Sequence, residues 1–554
     1  MSKTLPKRFQ HPYKFDNKYS KSVVYFSMEF AIDQCLKIYS GGLGFLAGSH
    51  MRSAYDLKQN MVGIGILWRK GYFDQGLNEN LTMNVQFKDK YYHFLEDTGI
   101  KFKIQINNHD VWVQAWYLNP ETFGTAPMFF LSTDVPENDY LAQSTTDRLY
   151  DFEPKAKLAS TMVLGIGGAR LLDELNFDPD IYHINEAHAL PAAFQLYKKY
   201  GSLAKVRNKM VFTTHTPEEA GNDKNDINFL YEMSYFAGLS MNEVRKITGI
   251  KDNVFNHSLA ALRLSHAANG VSKLHGEVSR EMWEGYSDIC PIGSITNAQN
   301  KKYWADYLLE DARIKKDREG LINRKKYLKN KLFELVADQT GKIFDPSVLT
   351  IVWARRFAGY KRADLITHNR DNFLKILNNP KKPVQIIFAG KPYPMDFYGI
   401  QTFEHLVRIS QDIKNMAVLT GYELKLSKTL KGGADVWLNT PRVTREASGT
   451  SGMTAAMNGA INFSTNDGWI REFDNMHRKQ NSFILPIVDH TLPVYDQDML
   501  DLKNLYDMLE NEVVPMYYSS PKKWWDLVET SMGQVVPYFD SDRMVDEYYA
   551  KLYS

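Results

Sequence analysis

EASGTSGMTAAMNG, residues 446–459, passes from small hydroxyl and glycine residues directly into an Ala-rich helical pattern. A loop of this kind exposes backbone N–H groups at a helix start, where the peptide dipoles present their positive end. It suits a sugar or a phosphate. An ordinary helix cap at Thr450 or Ser451 accounts for one residue of the run and not for the whole. Just upstream, residues 436–438 form a short unbroken apolar run, and residues 460–463 form another just downstream. Strand, loop, helix and strand in that order belong to a parallel sheet covered by helices.

The same alternation runs through the whole chain. Apolar runs at 23–27, 62–67, 181–184 and 210–214 mark strands in the first half. Runs at 349–353, 384–389, 417–419, 436–438 and 460–463 mark strands in the second. Most carry no polar alternation, as expected of strands buried on both faces. Helical patterns such as 156–175 and 371–377 lie between them. The fold class is α/β, built twice. A Lys-rich helical stretch, 311–335, separates the two strand sets. The expected organisation is an N-terminal arm at 1–21, a Rossmann-like domain at 22–295 and a second at 296–519. Helices at 520–554 are expected to cross back to the first domain.

A chain of 554 residues exceeds one ordinary core, which agrees with two domains. Hydrophobic residues at 44% and charged residues at 24% are ordinary for a globular protein. A net charge of +2 gives no bulk attraction to nucleic acid or to an anionic membrane. No stretch approaches the ~20 apolar residues of a membrane span, and the N-terminus carries no signal-peptide pattern. Cys35 and Cys290 form no C-x-x-C pair and read as reduced thiols of a cytoplasmic protein.

Two further segments carry chemistry. WARRFAGYKRA, residues 353–363, follows a buried strand and gathers Arg355, Arg356, Lys361 and Arg362 at its C-terminal end. Ligands of open α/β sheets bind there, and Arg and Lys supply donors for phosphate oxygens. YSGGLGFLAG, residues 39–48, formally matches G-x-G-x-x-A from Gly42. Its strand ends more than ten residues too early for a dinucleotide fold, which leaves a glycine loop able to approach an anion or a plain tight turn. HINEAH, residues 183–188, fits neither zinc-helix spacing, so no metal is expected.

Taken together these segments resemble one family. VVYFSMEF (23–30), YSGGLGFLAG, MVGIGILWRKGYF (61–73), HINEAH and FTTHTP (212–217) occur in the order found in α-glucan phosphorylases. So do LRLSHAANGVSKLHGEVS (262–279), WARRFAGYKR, IIFAGK (386–391), DVWLNTPR (435–442) and EASGTSGM. The resemblance is to the shorter bacterial type of glycogen, starch and maltodextrin phosphorylase. It implies a GT-B glycosyltransferase with two Rossmann-like domains whose parallel sheets face a central cleft.

The resemblance also implies residue roles. His215 and Asn297 would hold the 6-hydroxyl of the glucose, Glu446, Ser448 and Gly449 its 3-hydroxyl side, and Tyr360 would approach the 2-hydroxyl. Arg356 and Lys361 would bind the substrate and cofactor phosphates, helped by Arg355, Thr450 and the Gly41-Gly42-Leu43 loop. Trp304 and Tyr422 would line the ring pocket of pyridoxal phosphate. In the family a bound phosphate, and no protein carboxylate, attends the anomeric carbon, and transfer retains configuration.

One departure dominates. The residue after the Met of EASGTSGM is the cofactor-binding lysine in the family, and here it is Thr454. Ser40 and the run from Ala298 to Asn300 also depart from the family pattern. Three readings stay open: a phosphorylase that holds pyridoxal phosphate without a covalent bond, a nucleotide-sugar (ADP- or UDP-glucose) glucosyltransferase of glycogen-synthase type with no cofactor, or a non-catalytic glucan-binding relative. The expected partners are an α-1,4-glucan or maltodextrin with phosphate, glucose 1-phosphate or a nucleotide sugar. A homodimer is a further expectation from the family.

Overall fold

The computed structural model describes residues 2–474 and 476–553. They divide into two compact units. The first takes the chain up to Phe73, then Phe87–Asn297, then the segment from Ser541 onward. The second takes Asp74–Gln86 and Ala298–Asp540. Of the last two helices, Pro521–Phe539 therefore lies in the second unit and Ser541–Lys551 in the first.

The first unit is built on a nine-stranded sheet. Its strands are β1 (Val23–Phe26), β2 (Met61–Ile66), β3 (Glu96–Ile106), β4 (His109–Leu118), β5 (Met128–Ser132), β6 (Ile181–Asn185), β7 (Met210–Thr213), β8 (Ala267–Gly270) and β9 (Ile292–Ser294). Their order is β9-β8-β7-β6-β1-β2-β5-β4-β3. The first seven in that order pair in parallel; β4 and β3 close the edge as an antiparallel pair. That edge was absent from the expected strand list because β3 alternates exposed and buried residues instead of forming an apolar run.

The second unit holds a six-stranded, wholly parallel sheet. Its strands are β10 (Leu349–Ala354), β11 (Val384–Ala389), β12 (Met416–Leu419), β13 (Val436–Asn439), β14 (Ile461–Ser464) and β15 (Phe483–Ile484), ordered β12-β11-β10-β13-β14-β15. The pleat sends alternate residues to opposite faces. Ile351, Trp353, Ile386, Phe388 and Val436 join one core; Val352, Ala354, Ile387, Ala389 and Trp437 join the other. Both faces are apolar because both are covered, which is why these strands read as unbroken apolar runs.

Strand order fixes where the chemistry sits. From β10 the chain moves outward through β11 and β12, then crosses to the other side of β10 and continues through β13 and β14. The β10/β13 neighbours are thus the switch point of the sheet, where the loops leaving two parallel strands diverge and leave a crevice. A buried pair anchors this junction from below. On the 23-residue helix Arg318–Thr340, Lys329 Nζ lies 2.6 Å from Asp435 Oδ2 and donates to the Val348 carbonyl at 2.8 Å. The same Asp435 oxygen accepts the Thr350 N–H at 2.8 Å. The helix is thereby tied to the starts of β10 and β13 together.

Removing one partner of such a pair leaves a buried charge without compensation. Asp435→Ala is expected to destabilise the second unit by about 3–5 kcal/mol, read as a lowered urea midpoint for that unit's transition. A midpoint unchanged from the parent chain would show that the junction does not depend on the pair.

Candidate active site

The loop leaving β10 begins at Arg355 and turns through a short 3-10 segment, Gly359–Lys361. Arg362 ends that turn in the left-handed region at φ 49°. Its buried guanidinium donates to the Thr440 carbonyl at 2.7 Å and the Pro441 carbonyl at 3.2 Å, on the loop leaving β13. It also meets Asp498 at 2.9 Å and Asp501 at 2.7 Å. The Arg442 backbone N–H donates to the Tyr360 carbonyl at 2.9 Å. Arg362 is therefore a clamp between the two loops. Of the four cations read at this strand end, it is the one spent on structure.

Two others converge. Arg355 Nη2 lies 2.5 Å and Lys361 Nζ 3.2 Å from the same oxygen, Glu446 Oε2. All three side chains are nearly buried, at 6%, 11% and 10% exposure. Burial pushes the Glu446 carboxyl up, but Arg355 and Lys361 outweigh it and hold the group down at about 2. Burial, with Arg355 beside it, lowers the Lys361 ammonium to about 7, and Glu446 opposes part of that fall. Arg356, the fourth cation, is exposed. Tyr360 packs beside Lys361, its ring centroid 5.1 Å from Nζ, and burial raises its hydroxyl pKa.

The 446–450 loop is held from behind. Asp467 Oδ2 accepts the Glu446 N–H at 2.9 Å and its other oxygen accepts the Gly468 N–H. Burial, followed by the Glu446 charge, raises Asp467 to about 7. Gly449 stands at φ 87°, where a side chain is strained, and an added Cβ would lie 3.4 Å from both Glu446 and Trp469. Ser448 Oγ is buried with no hydrogen-bond partner among the described residues. Thr450 precedes the short helix Ser451–Met457 without capping it through its side chain. Thr454 is buried inside that helix, and its hydroxyl donates to the Ser451 carbonyl at 3.0 Å. Trp304 and Tyr422 are both buried, and the Tyr422 hydroxyl reaches the Ala354 carbonyl at 3.4 Å. The second unit thus gathers Arg355, Tyr360, Lys361, Glu446, Ser448 and Gly449 around one switch point.

In the first unit the expected residues follow the ends of the parallel strands. His215 follows β7; its Nε2 faces Asn185 Oδ1 at 2.7 Å and its backbone N–H donates to Glu186. Burial pushes the imidazole down to about 3, so it is neutral at working pH. Asn297 is buried, with Oδ1 unpartnered among the described residues. The Gly41-Gly42-Leu43 loop opens the helix Gly42–Asp56. Its anion is in part built in: Glu29 accepts the Ser40 N–H at 2.6 Å and the Gly41 N–H at 3.1 Å. The glycines of that helix serve packing as well, since a Cβ on Gly48 would strike the Ala31 carbonyl oxygen at 2.1 Å.

Sequence reasoning passed over Glu186. It holds φ 65°, a strained backbone for a non-glycine residue, and accepts from the His215 N–H and the Thr216 hydroxyl. Burial raises its carboxyl to about 7. The HINEAH string contained the signal, read only for metal spacing. His183 of the same string is a core residue, its ring nitrogens 2.6 Å from the Tyr553 hydroxyl and 2.7 Å from Thr213 Oγ1. Among the described residues no helix is long and apolar enough to cross a membrane.

The arrangement can bind an oxyanion through Arg355 and Lys361, with a carboxylate and an open hydroxyl beside it for a polyhydroxylated partner. Comparison with known proteins places the chain in a family. The family model for carbohydrate phosphorylases matches residues 294–511. An uncharacterized protein of Methanocaldococcus jannaschii is 46% identical over 533 residues, 96% of this chain and 100% of that protein. The maltodextrin phosphorylase of Thermococcus litoralis is 34% identical over 601 aligned positions, 97% of this chain and 71% of that enzyme. The glycogen phosphorylase of Aquifex aeolicus is 31% identical over 612 positions, 98% of this chain and 87% of that enzyme. Similar to these proteins over 96–98% of its own length, and at 34% identity to an enzyme of which 71% is covered, the chain belongs to the carbohydrate phosphorylase family.

Proposed function

We propose that this chain is a retaining glucosyltransferase of α-1,4-glucans that exchanges a terminal glucosyl unit with inorganic phosphate, forming glucose 1-phosphate. One observation carries the reading: two buried cations, Arg355 and Lys361, converge on a single oxygen of Glu446 at the sheet's switch point. An incoming phosphate competes with that oxygen for donors already in place, so little reorganisation opposes its binding. Glu446, which its two cations hold ionised in the free chain, is the acceptor for a sugar hydroxyl. Ser448 Oγ supplies a donor and an acceptor to the same ring.

The chain's residues also fit pyridoxal phosphate. Arg355, Arg356 and Lys361 offer more positive charge than one substrate phosphate needs, Ser448 Oγ is an orphaned donor among the described residues, and Trp304 and Tyr422 are buried aromatic residues of the same unit. When bound, the cofactor would supply a second phosphate as proton donor and acceptor. At residue 454 the hydroxyl bonded to Ser451 cannot form the imine that a lysine forms there. That same observation favours a second reading, in which a nucleotide sugar places its two phosphates on these cations and no cofactor is used.

A donor comparison separates the two. With a maltodextrin acceptor, chain extension from glucose 1-phosphate and none from ADP- or UDP-glucose is the expected result; the reverse would replace the first reading by the second. Lys361→Ala is expected to lower kcat by about 10²–10³-fold, the usual cost of one transition-state charge donor. Turnover at the parent rate would remove Lys361 from the site.

Charge on Lys361 sets a pH dependence. Its folded pKa is depressed to about 7, so the ammonium is present below that pH and lost above it. Sulfate, which does not titrate in this range, should bind with an affinity that falls roughly tenfold per pH unit above the transition. Calorimetric titration showing constant affinity from pH 6 to 9 would contradict the assignment.

A further inference from the structure

Asp467 is 3% exposed, and among the described residues it meets no lysine or arginine at ion-pair distance. The other buried aspartates of the second unit do: Asp435 meets Lys329 at 2.6 Å, Asp501 meets Arg362 at 2.7 Å and Asp540 meets Lys301 at 3.1 Å. The partners of Asp467 are two backbone N–H groups, that of Glu446 at Oδ2 and that of Gly468 at Oδ1, both at 2.9 Å. Arg471 acts on it only through space. A carboxylate buried on neutral donors alone is costly to keep ionised.

The turn after β14 that carries Asp467 is a mould for the loop that begins at Glu446. Thr465 Oγ1 donates to the Pro441 carbonyl at 2.8 Å, one of the two carbonyls that Arg362 grips. The Trp469 N–H donates to the Ser448 carbonyl at 2.9 Å. Between them an added Cβ on Gly468 would lie 2.5 Å from the Ser448 carbonyl oxygen and 2.9 Å from that of Glu446. The two backbones are thus in direct contact, and Asp467 completes the contact by taking the Glu446 N–H. Two N–H groups on two separate oxygens call for a carboxylate. An amide offers one acceptor and turns a donor toward the second N–H, and a protonated carboxyl likewise makes one oxygen a donor.

We propose that Asp467 is the positioning residue of the sugar half of this site: as a carboxylate it holds Glu446 and Ser448 in place for the glucosyl hydroxyls, and on taking a proton it relaxes that hold. The inference rests on the reading that Glu446 accepts from the sugar. Burial raises the Asp467 carboxyl to about 7 against the pull of its two N–H bonds, and the Glu446 charge adds to the rise. The charged and titratable groups that face it are Glu446, Arg471 and the Tyr360 hydroxyl. Arg471 favours the ionised form, and burial keeps Tyr360 neutral. Lys361 changes charge near the same pH with the opposite consequence. Sugar binding weakens as pH falls and Asp467 is protonated; anion binding weakens as pH rises and Lys361 is deprotonated.

The test uses the full chain and two competitors in the chain-extension assay: D-glucose, which carries no charge, and sulfate, which does not titrate in this range. In the parent chain the inhibition constant of D-glucose is expected to rise by up to about tenfold per pH unit below the transition, while that of sulfate rises above it. In Asp467→Asn, D-glucose is expected to bind about tenfold more weakly above the transition, the usual loss for a hydrogen bond to a charged group, and without a pH slope. Sulfate inhibition unchanged in that variant shows that it is folded. A D-glucose constant that is flat from about pH 5.5 to about 8.5 in the parent chain overturns the proposal, needs no variant and leaves the phosphorylase reading standing. A slope that survives in Asp467→Asn overturns it too, since another group then carries the proton. Absence of any D-glucose inhibition removes the sugar role of Glu446 and the proposal with it. If only a nucleotide sugar extends the chain, the phosphorylase reading falls, and the same slopes read against that donor uphold or overturn the proposal.

Discussion

Two cations held on one carboxylate oxygen organise the second unit's site. Arg355, Lys361 and Glu446 are almost wholly out of water, where an isolated charge is costly and a paired one tolerable. The pairing holds the loop after β10 against the loop after β13. Arg362 performs the same task with backbone carbonyls and two aspartates, so the geometry does not rest on the charges that a ligand would borrow. An anion-binding residue has to be pairable and releasable. Separating the clamp from the working cations provides both.

Placement of this cluster follows from topology. Six parallel strands with a reversal between β10 and β13 create one crevice in the second unit's sheet, and both loops that matter leave from it. Beneath it, Lys329 and Asp435 fasten a long helix to the starts of the same two strands. The site is thus supported from the edge of the sheet opposite to the one where it opens.

Much of this was legible in the residues. Unbroken apolar runs gave away the parallel sheets because both faces of the second sheet are covered, and the cation-rich string after β10 followed a strand end as expected. Less was legible where function depends on distance along the chain. Arg362 read as one of four cations at a strand end because its acceptors, Thr440, Asp498 and Asp501, lie far away in sequence. Asp467 carries no motif of its own; Glu186 and Glu29 lie inside HINEAH and VVYFSMEF, but the strain at Glu186 and the carboxylate contacts at Ser40 and Gly41 exist only in the folded chain. The β3–β4 edge was missed for the opposite reason, since an alternating strand hides among polar residues.

The account is tested most directly by a crystal structure of the full chain grown with glucose 1-phosphate. It predicts the phosphate within hydrogen-bond reach of Arg355 and Lys361, a sugar hydroxyl donating to Glu446, and Arg362 still clamped to Thr440 and Pro441. A phosphate bound elsewhere, with Arg355 and Lys361 both remaining on Glu446, would contradict it.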